Sequence, residues 1–339
     1  MNKKIIYLKE VDSYDDIFKK EHKKMPLFLK KIIFLFKNLF NIITKKEIEG
    51  NIIWILPIKE KYSNDKIRKI IKNNFKIDNN IYVISNELKT RNIDDIMDIY
   101  NIKYMTEGKT KKIILLPVLE YIGKILKKDI NLLDITIMVK DNSEINLFFM
   151  EQISKLVKSL KVVSLNIYKF RKMEEKLYNE NGIAIQFSNS YKKSLEKSNI
   201  IINLDYSEIE INEYNIYNSA IIINCTEEKI KIKSRLFEGI NINSYEINFD
   251  KKIIDSFKKI HIYDNYRKFT LYASIIEKEE NIFTSYKNLY KNKVKIISLV
   301  GNNGIIDKKE FKNVNKKSLT KVKKKSNIID IENTNSNRR

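Results

Sequence analysis

At 339 residues, with a formal net charge of +22, one cysteine (Cys225) and two histidines (His22 and His261), the chain has length for two domains with cores of their own. It has too few thiols for an intrachain disulfide or a CxxC metal site. Cysteine usage of this kind fits a reducing, cytoplasmic compartment. The charge carries no specific nucleic-acid signal: seven of the 65 basic residues are arginine, whereas bidentate phosphate and base contacts favour arginine over lysine.

The N-terminal stretch MNKKIIYLKEVDSYDD turns acidic before any apolar run long enough for a signal peptide develops. Residues 25–44, MPLFLKKIIFLFKNLFNIIT, come nearest to a membrane segment, but Lys30, Lys31 and Lys37 interrupt them. As a helix this segment gathers its polar residues into about one third of the circle and leaves a wide apolar face. That pattern fits packing into the protein's own core, or peripheral contact with a membrane surface. We therefore assign residues 1–48 to an N-terminal amphipathic helical segment.

From residue 49 to 110 the pattern is that of a small α/β lobe: a strand NIIWILPI (51–58), a helix NDKIRKIIKNNF (64–75), a strand NIYVIS (80–85) and a short helix NIDDIMDIYN (92–101). KKIILLPVLEYIGKIL (111–126) is apolar at helical spacing and reads as a connecting helix, with Pro117 at a kink or in a first turn.

A regular alternation follows. Strand ITIMV (135–139), helix 145–160, strand KVVSLNI (161–167), helix 169–181 closed by Gly182, strand IAIQFS (183–188), a short helix SYKKSLEKS (190–198), and strands NIIINLD (199–205) and SAIIINCT (219–226) succeed one another. Apolar strands between amphipathic helices predict a doubly wound parallel sheet, so the fold class is α/β and Rossmann-like, preceded by the smaller lobe. Residues 266–293 read as two further helices, and GNNG at 301–304 reads as a turn, since no Lys-Ser/Thr follows to make it a phosphate loop. This domain is expected over 111–304. A basic tail, 305–339, lacks the apolar content to form a core, and residues from 310 onward are expected to be dispensable for folding.

The order ITIMV, loop, helix, KVVSLNIYKFRKMEEKL, IAIQFSNSYKKSLEKSNIIINLD and SAIIINCT resembles the NAD(P)-binding domain of the shikimate dehydrogenase and glutamyl-tRNA reductase type, over about residues 111–230. The resemblance implies a relation to NAD(P)-dependent oxidoreductases and glycines near positions 140, 142 and 145, where the backbone approaches the pyrophosphate. This chain has Lys140, Asn142 and Ile145 there. Asp141 and Glu144 stand at the spacing of a capping pair and place negative charge where phosphate would sit. The nucleotide grip is therefore expected to be weakened or lost.

The end of the second strand carries Ser164 and Asn166 followed by Lys169, Arg171 and Lys172, a small polar residue before basic ones, which in NADP-preferring relatives accepts the 2′-phosphate. The candidate cofactor-binding residues are thus Lys140, Asn142, Asn166, Lys169 and Arg171, with NADP as a weakly held cofactor. The resemblance implies a lysine and aspartate pair on the N-terminal lobe or a nucleophilic cysteine early in the chain, and no such catalytic set stands out here. A lysine such as Lys59 or Lys103 does not stand out from the others, and Cys225 lies on the fifth strand rather than early in the chain, where a reductase nucleophile would be. Asp205, at the carboxyl end of the fourth strand, lies where sheet-end ligands bind. The partner expected is a small molecule or nucleotide in the cleft between lobes. The alternative is a non-catalytic interaction or regulatory protein that uses the fold as a scaffold, peripheral to the membrane through residues 25–44.

Overall fold

The computed structural model describes residues 4–10, 43–48, 51–59, 62–75, 81–84, 103–105, 107–157, 160–182, 185–248 and 294–311, with isolated positions 26, 28, 29, 32, 254, 255 and 314. Most of the amphipathic segment 25–44, and the helices expected over 92–101 and 266–293, lie outside these residues. The chain divides into two compact units, residues 1–110 with 247–295, and residues 111–246 with 296–339.

The first unit holds a five-stranded sheet. Strands β1 (Lys4–Glu10), β2 (Thr44–Ile48), β3 (Asn51–Ile58), β4 (Ile81–Ile84) and β5 (Lys103–Met105) lie in the order β2-β3-β1-β4-β5. Its pairs are parallel except for the antiparallel β2–β3 edge. Helix α1 (Asn64–Asn74) begins at Ser63, whose side chain accepts from the Lys66 N–H, and lays Ile67, Ile70 and Ile71 against Ile6, Leu8, Leu56 and Ile58 of the sheet.

Assigning all of 1–48 to a helical segment does not hold, because Lys4–Glu10 is the middle strand of this sheet and Thr44–Ile48 its edge. The physical reason is length. The apolar run Ile5–Leu8 is too short for a helix face, yet all four residues are fully buried, which a parallel strand covered on both sides achieves.

Helix α2 (Glu107–Ile113), whose residues from Lys111 onward belong to the second unit, is followed by α3 (Leu115–Leu126), with a break at Ile114 (φ −95°, ψ 8°). Pro117, third in α3, has no N–H and its ring crowds the carbonyl one turn back, which accounts for a break there. Then come β6 (Ile135–Met138), α4 (Glu144–Ser154), β7 (Leu160–Val163), α5 (Arg171–Asn181), β8 (Ile185–Ser188), β9 (Ile200–Asn203), the single-turn α6 (Glu208–Ile211), β10 (Ile221–Asn224) and β11 (Ile240–Ile242). Gly182 closes α5 at φ 65°, the left-handed cap expected.

These six strands form one sheet in the order β11-β10-β9-β6-β7-β8, with every pair parallel. Numbered from β6 as the first strand, the order is 3-2-1-4-5-6, that of the Rossmann doubly wound fold, with its switch point between β6 and β9. The strands β6, β9 and β10 are buried at all four positions, as continuous apolar runs require when both faces are covered.

Residues 191–197 are turns rather than the expected helix, because their serines bond locally. The Ser188 and Ser194 hydroxyls lie 2.5 Å apart, Lys193 N–H donates to Ser190 Oγ, and Ser198 Oγ donates to the Ser194 carbonyl. After β11, strands β12 (Ser244–Asn248), β13 (Lys295–Gly301) and β14 (Gly304–Ile305) make a three-stranded sheet in that order. GNNG is the tight turn between β13 and β14, with Gly304 at φ 112°.

The basic tail does not begin at 305. Ile305 lies in β14, residues 308–311 are helical, and Phe311 and Val314 are buried. Two apolar side chains three residues apart suffice to fasten one helical turn, so truncation before Phe311 would remove core. Residues 315–339 lie outside the described residues.

The loop from β10 to β11 is set by a close approach: a Cβ on Gly239 would lie 2.1 Å from the Ala220 carbonyl oxygen and 2.7 Å from the Phe237 ring. Backbone cannot retreat there, because that carbonyl accepts the Ile240 N–H at 2.9 Å. Gly239→Ala is expected to destabilise the chain by about 1–3 kcal/mol through overpacking, measured as a shift in the urea midpoint at unchanged slope.

Candidate functional site

In an open parallel sheet the ligand edge lies beyond the carboxyl ends of the strands at the switch point. Here that edge is filled by the chain's own polar groups. Asp205, just past β9, presents Oδ2 to the Lys140 backbone N–H at 3.2 Å and to Asn146 Nδ2 at 2.8 Å, and Oδ1 to Lys112 Nζ at 2.9 Å. Lys112 Nζ also donates to Asn146 Oδ1 at 2.9 Å, and Asn146 Nδ2 reaches Asp141 Oδ1 at 2.8 Å. Asn146 is fully buried, and the Lys112 and Asp205 side chains are only 12% and 15% exposed.

The loop following β6 is thus closed from both sides. Asp141 Oδ1 accepts the Ser143 N–H at 2.9 Å. Burial pushes the Asp141 carboxyl up, but hydrogen bonds from Ser143 and Asn146 and the charge of Lys112 outweigh it and hold the group below the usual carboxylate range. The capping pair expected from Asp141 and Glu144 does not form as such. Ser143 is the N-cap, Glu144 is the first residue of α4, and Asp141 instead folds the loop by accepting from Ser143 and Asn146.

Lys140 is engaged internally through its side chain as well. Its Nζ donates to Glu210 Oε2 at 2.5 Å and lies 5.3 Å from the centre of the Tyr206 ring. Burial pushes the Glu210 carboxyl up, yet the Lys140 ammonium and the Ser207 hydroxyl and N–H hold it below its ordinary value. Glu210 and Ser207 form a reciprocal capping box on α6.

The other candidates lie at the neighbouring end of β7. Asn142 Nδ2 donates to the Lys169 carbonyl at 3.5 Å, which brings the β6 loop beside the segment after β7. Asn166 donates its N–H to Ser164 Oγ at 3.3 Å and is exposed, as are Lys169 and Arg171. The Arg171 guanidinium stacks 4.6 Å from the Tyr168 ring centre. Ser164 is fully buried.

Further along the same edge runs a chain of buried asparagines that the sequence reading missed. Asn203 ends β9 and Asn224 ends β10, paired in register, and Asn243 follows β11. Asn203 Nδ2 donates to Asn224 Oδ1 at 3.2 Å, Asn224 Nδ2 to Asn243 Oδ1 at 3.1 Å, and Asn243 Nδ2 to Asn302 Oδ1 at 2.8 Å. Each amide also closes a loop. Asn203 bonds the N–H and carbonyl of Tyr206, Asn224 the carbonyl of Glu228 and the N–H of Thr226, and Asn243 the N–H and carbonyl of Ile230. The signal was present as a repeated string, IIIN at 200–203 and again at 221–224. Lys112 and Asn146 had no such signal, since nothing local distinguishes them from other lysines and asparagines.

Cys225, next to this ladder, is fully buried, and burial pushes its thiol up to about 12, so it has no nucleophilic character at neutral pH. Lys59 lies 5.9 Å from the centre of the Tyr62 ring in the first unit, and Lys103 is in β5. Among the described residues, no cluster of three His, Cys, Asp or Glu side chains could hold a metal, and no helix is long and apolar enough to cross a membrane.

No family model and no curated protein matches the chain. Among solved structures, L-tryptophan dehydrogenase from Nostoc punctiforme aligns over 85% of this chain and 87% of its own, at 12% identity and a TM-score of 0.32. Aspartate transcarbamoylase from Trypanosoma cruzi aligns over 80% and 82% at 7% identity and 0.34, and the dipicolinate synthase A chain from Bacillus subtilis over 86% and 97% at 9% identity and 0.32. At such scores these likenesses carry no functional weight. The Rossmann-like character of the second unit rests on its own strand order and parallel pairing.

Proposed function

We propose that the chain is a Rossmann-like protein related to NAD(P)-dependent oxidoreductases in which the pyrophosphate grip has been replaced by an internal carboxylate network. Its ligand is then a small molecule or nucleotide held at the switch-point edge without the usual pyrophosphate clamp. The observation that carries this reading is Asp205, which accepts the Lys140 N–H at the end of β6, a backbone donor a dinucleotide phosphate would otherwise take. Ile145, half-buried at the start of α4, adds a branched side chain where close backbone approach is needed. What remains open to an anionic group is the exposed trio Asn166, Lys169 and Arg171, so NADP is favoured over NAD among weak ligands.

Isothermal titration tests the reading. NADP and NAD are expected to bind more weakly than about millimolar, corresponding to about 4 kcal/mol of standard binding free energy. Arg171→Ala is expected to remove whatever preference for NADP over NAD is measured. Micromolar NADP binding by the unmodified chain would overturn the lost grip and return the protein to the conventional dinucleotide-binding class.

A further inference from the structure

Three donors from separate parts of the unit converge on the Asp205 carboxylate: Lys112 Nζ from α2, the Lys140 N–H from the loop after β6, and Asn146 Nδ2 from α4, at 2.9, 3.2 and 2.8 Å. A cation, a backbone amide and a side-chain amide aimed at one small volume are what an oxyanion site consists of. Nothing in the architecture of β9 requires a carboxylate there. Asp205 follows the strand, and its own backbone position is already fixed by the Leu204 N–H donating to the Met138 carbonyl and by the Asn203 loop to Tyr206.

We infer that Asp205 is the specificity-determining residue of the switch-point edge: its carboxylate occupies the seat of a ligand oxyanion, with Lys112, the Lys140 amide and Asn146 as the donors of that seat. The inference rests on the internal-network reading above and deepens it by naming the residue and the ligand class that residue excludes. Asp141 shares Asn146 Nδ2, so a second negative charge flanks the seat. The class admitted once Asp205 is removed is accordingly a small, singly or doubly charged oxyanion, not a polyphosphate.

The test uses the full chain and inorganic phosphate. Asp205→Ala removes the occupant and leaves the donors. Its thermal midpoint is expected to rise by about 4 °C or more between zero and about 50 mM phosphate at constant ionic strength set with chloride. The wild-type midpoint stays level over the same series, and Lys112→Ala/Asp205→Ala does not respond. Should Asp205→Ala fail to fold in chloride, phosphate must restore its folding, and Asp205→Ser is run in parallel as the less disruptive cavity. An equal response of the wild type, a response that survives loss of Lys112, or no response and no restoration in either variant would each overturn the inference. Titration of the wild type with NADP addresses the underlying reading separately, because tight binding there sinks the lost grip whatever phosphate does to the variants.

Discussion

Asn224→Asp is expected to destabilise the chain by about 4 kcal/mol at neutral pH, built from two buried acceptors left opposed at about 1–3 kcal/mol each. Asn224 is fully buried, and its Nδ2 donates to the Glu228 carbonyl at 2.7 Å and to Asn243 Oδ1 at 3.1 Å. A carboxylate in its place turns two donated bonds into oxygen–oxygen oppositions and adds an unpaired charge. Its Oδ1 partners, Asn203 Nδ2 and the Thr226 N–H and hydroxyl, would still be served, so the cost arises on the Nδ2 side.

The pH dependence follows with a definite sign. Burial and the opposed oxygens raise the introduced carboxyl's folded-state pKa above the unfolded value of about 3.9. The neutral form is therefore the one the fold tolerates, the penalty is smallest below that unfolded value, and it grows as pH rises through the folded pKa. Urea melts of wild type and variant at pH 4 and pH 7 give the difference. A variant within about 1 kcal/mol of wild type at both pH values would mean that the asparagine ladder is not a cooperative element.

That ladder also shows where sequence reasoning reached and where it stopped. The parallel sheet was legible because ITIMV, NIIINLD and SAIIINCT are apolar without alternation, and only burial on both faces makes such strands favourable. Strand order was legible only through the Rossmann-like resemblance, since no local pattern states that β9 lies beside β6, and this adjacency creates the switch point and brings Asp205 to Lys140.

Misreadings have local causes. SYKKSLEKS has a helical spacing of apolar and basic residues, but its serines, with Ser188 before them, offer the backbone nearer partners than a helix would. Lys4–Glu10 was obscured by its neighbours, because four apolar residues between lysines look like the start of a leader and like nothing else until β3 and β4 are placed on either side. At the other end, Phe311 and Val314 are isolated apolar positions in a basic run, and burial alone reveals that they belong to the packed unit. Of the five candidate binding residues, Lys140 could be flagged by position in the loop. Its salt bridge to Glu210 depends on a capping box 70 residues away, beyond any reading of spacing.

Lys112→Met is the substitution expected to expose the polar edge most directly. It preserves the length of the side chain while leaving the Asp205 carboxylate without its cation. Breaking a buried ion pair by removing one partner costs about 3–5 kcal/mol, and the residual exposure of both groups sets the expectation here at the lower end, about 3 kcal/mol. The same change deprives Asn146 Oδ1 of its donor. Lys112→Met/Asp205→Asn is expected to recover much of the loss, since a neutral amide no longer needs the ammonium and still accepts from the Lys140 N–H. The coupling between the two positions in a double-mutant cycle should then reach about 1–3 kcal/mol. Equilibrium urea unfolding of the four chains at neutral pH measures it. A coupling near zero would mean that water, not Lys112, satisfies the carboxylate, and Asp205 would then be an ordinary polar strand end with no oxyanion seat beneath it. A coupling in the expected range ties the stability of the fold to the Lys112–Asp205 pair at the switch-point edge. It would explain in energetic terms how a glycine-free loop holds its shape.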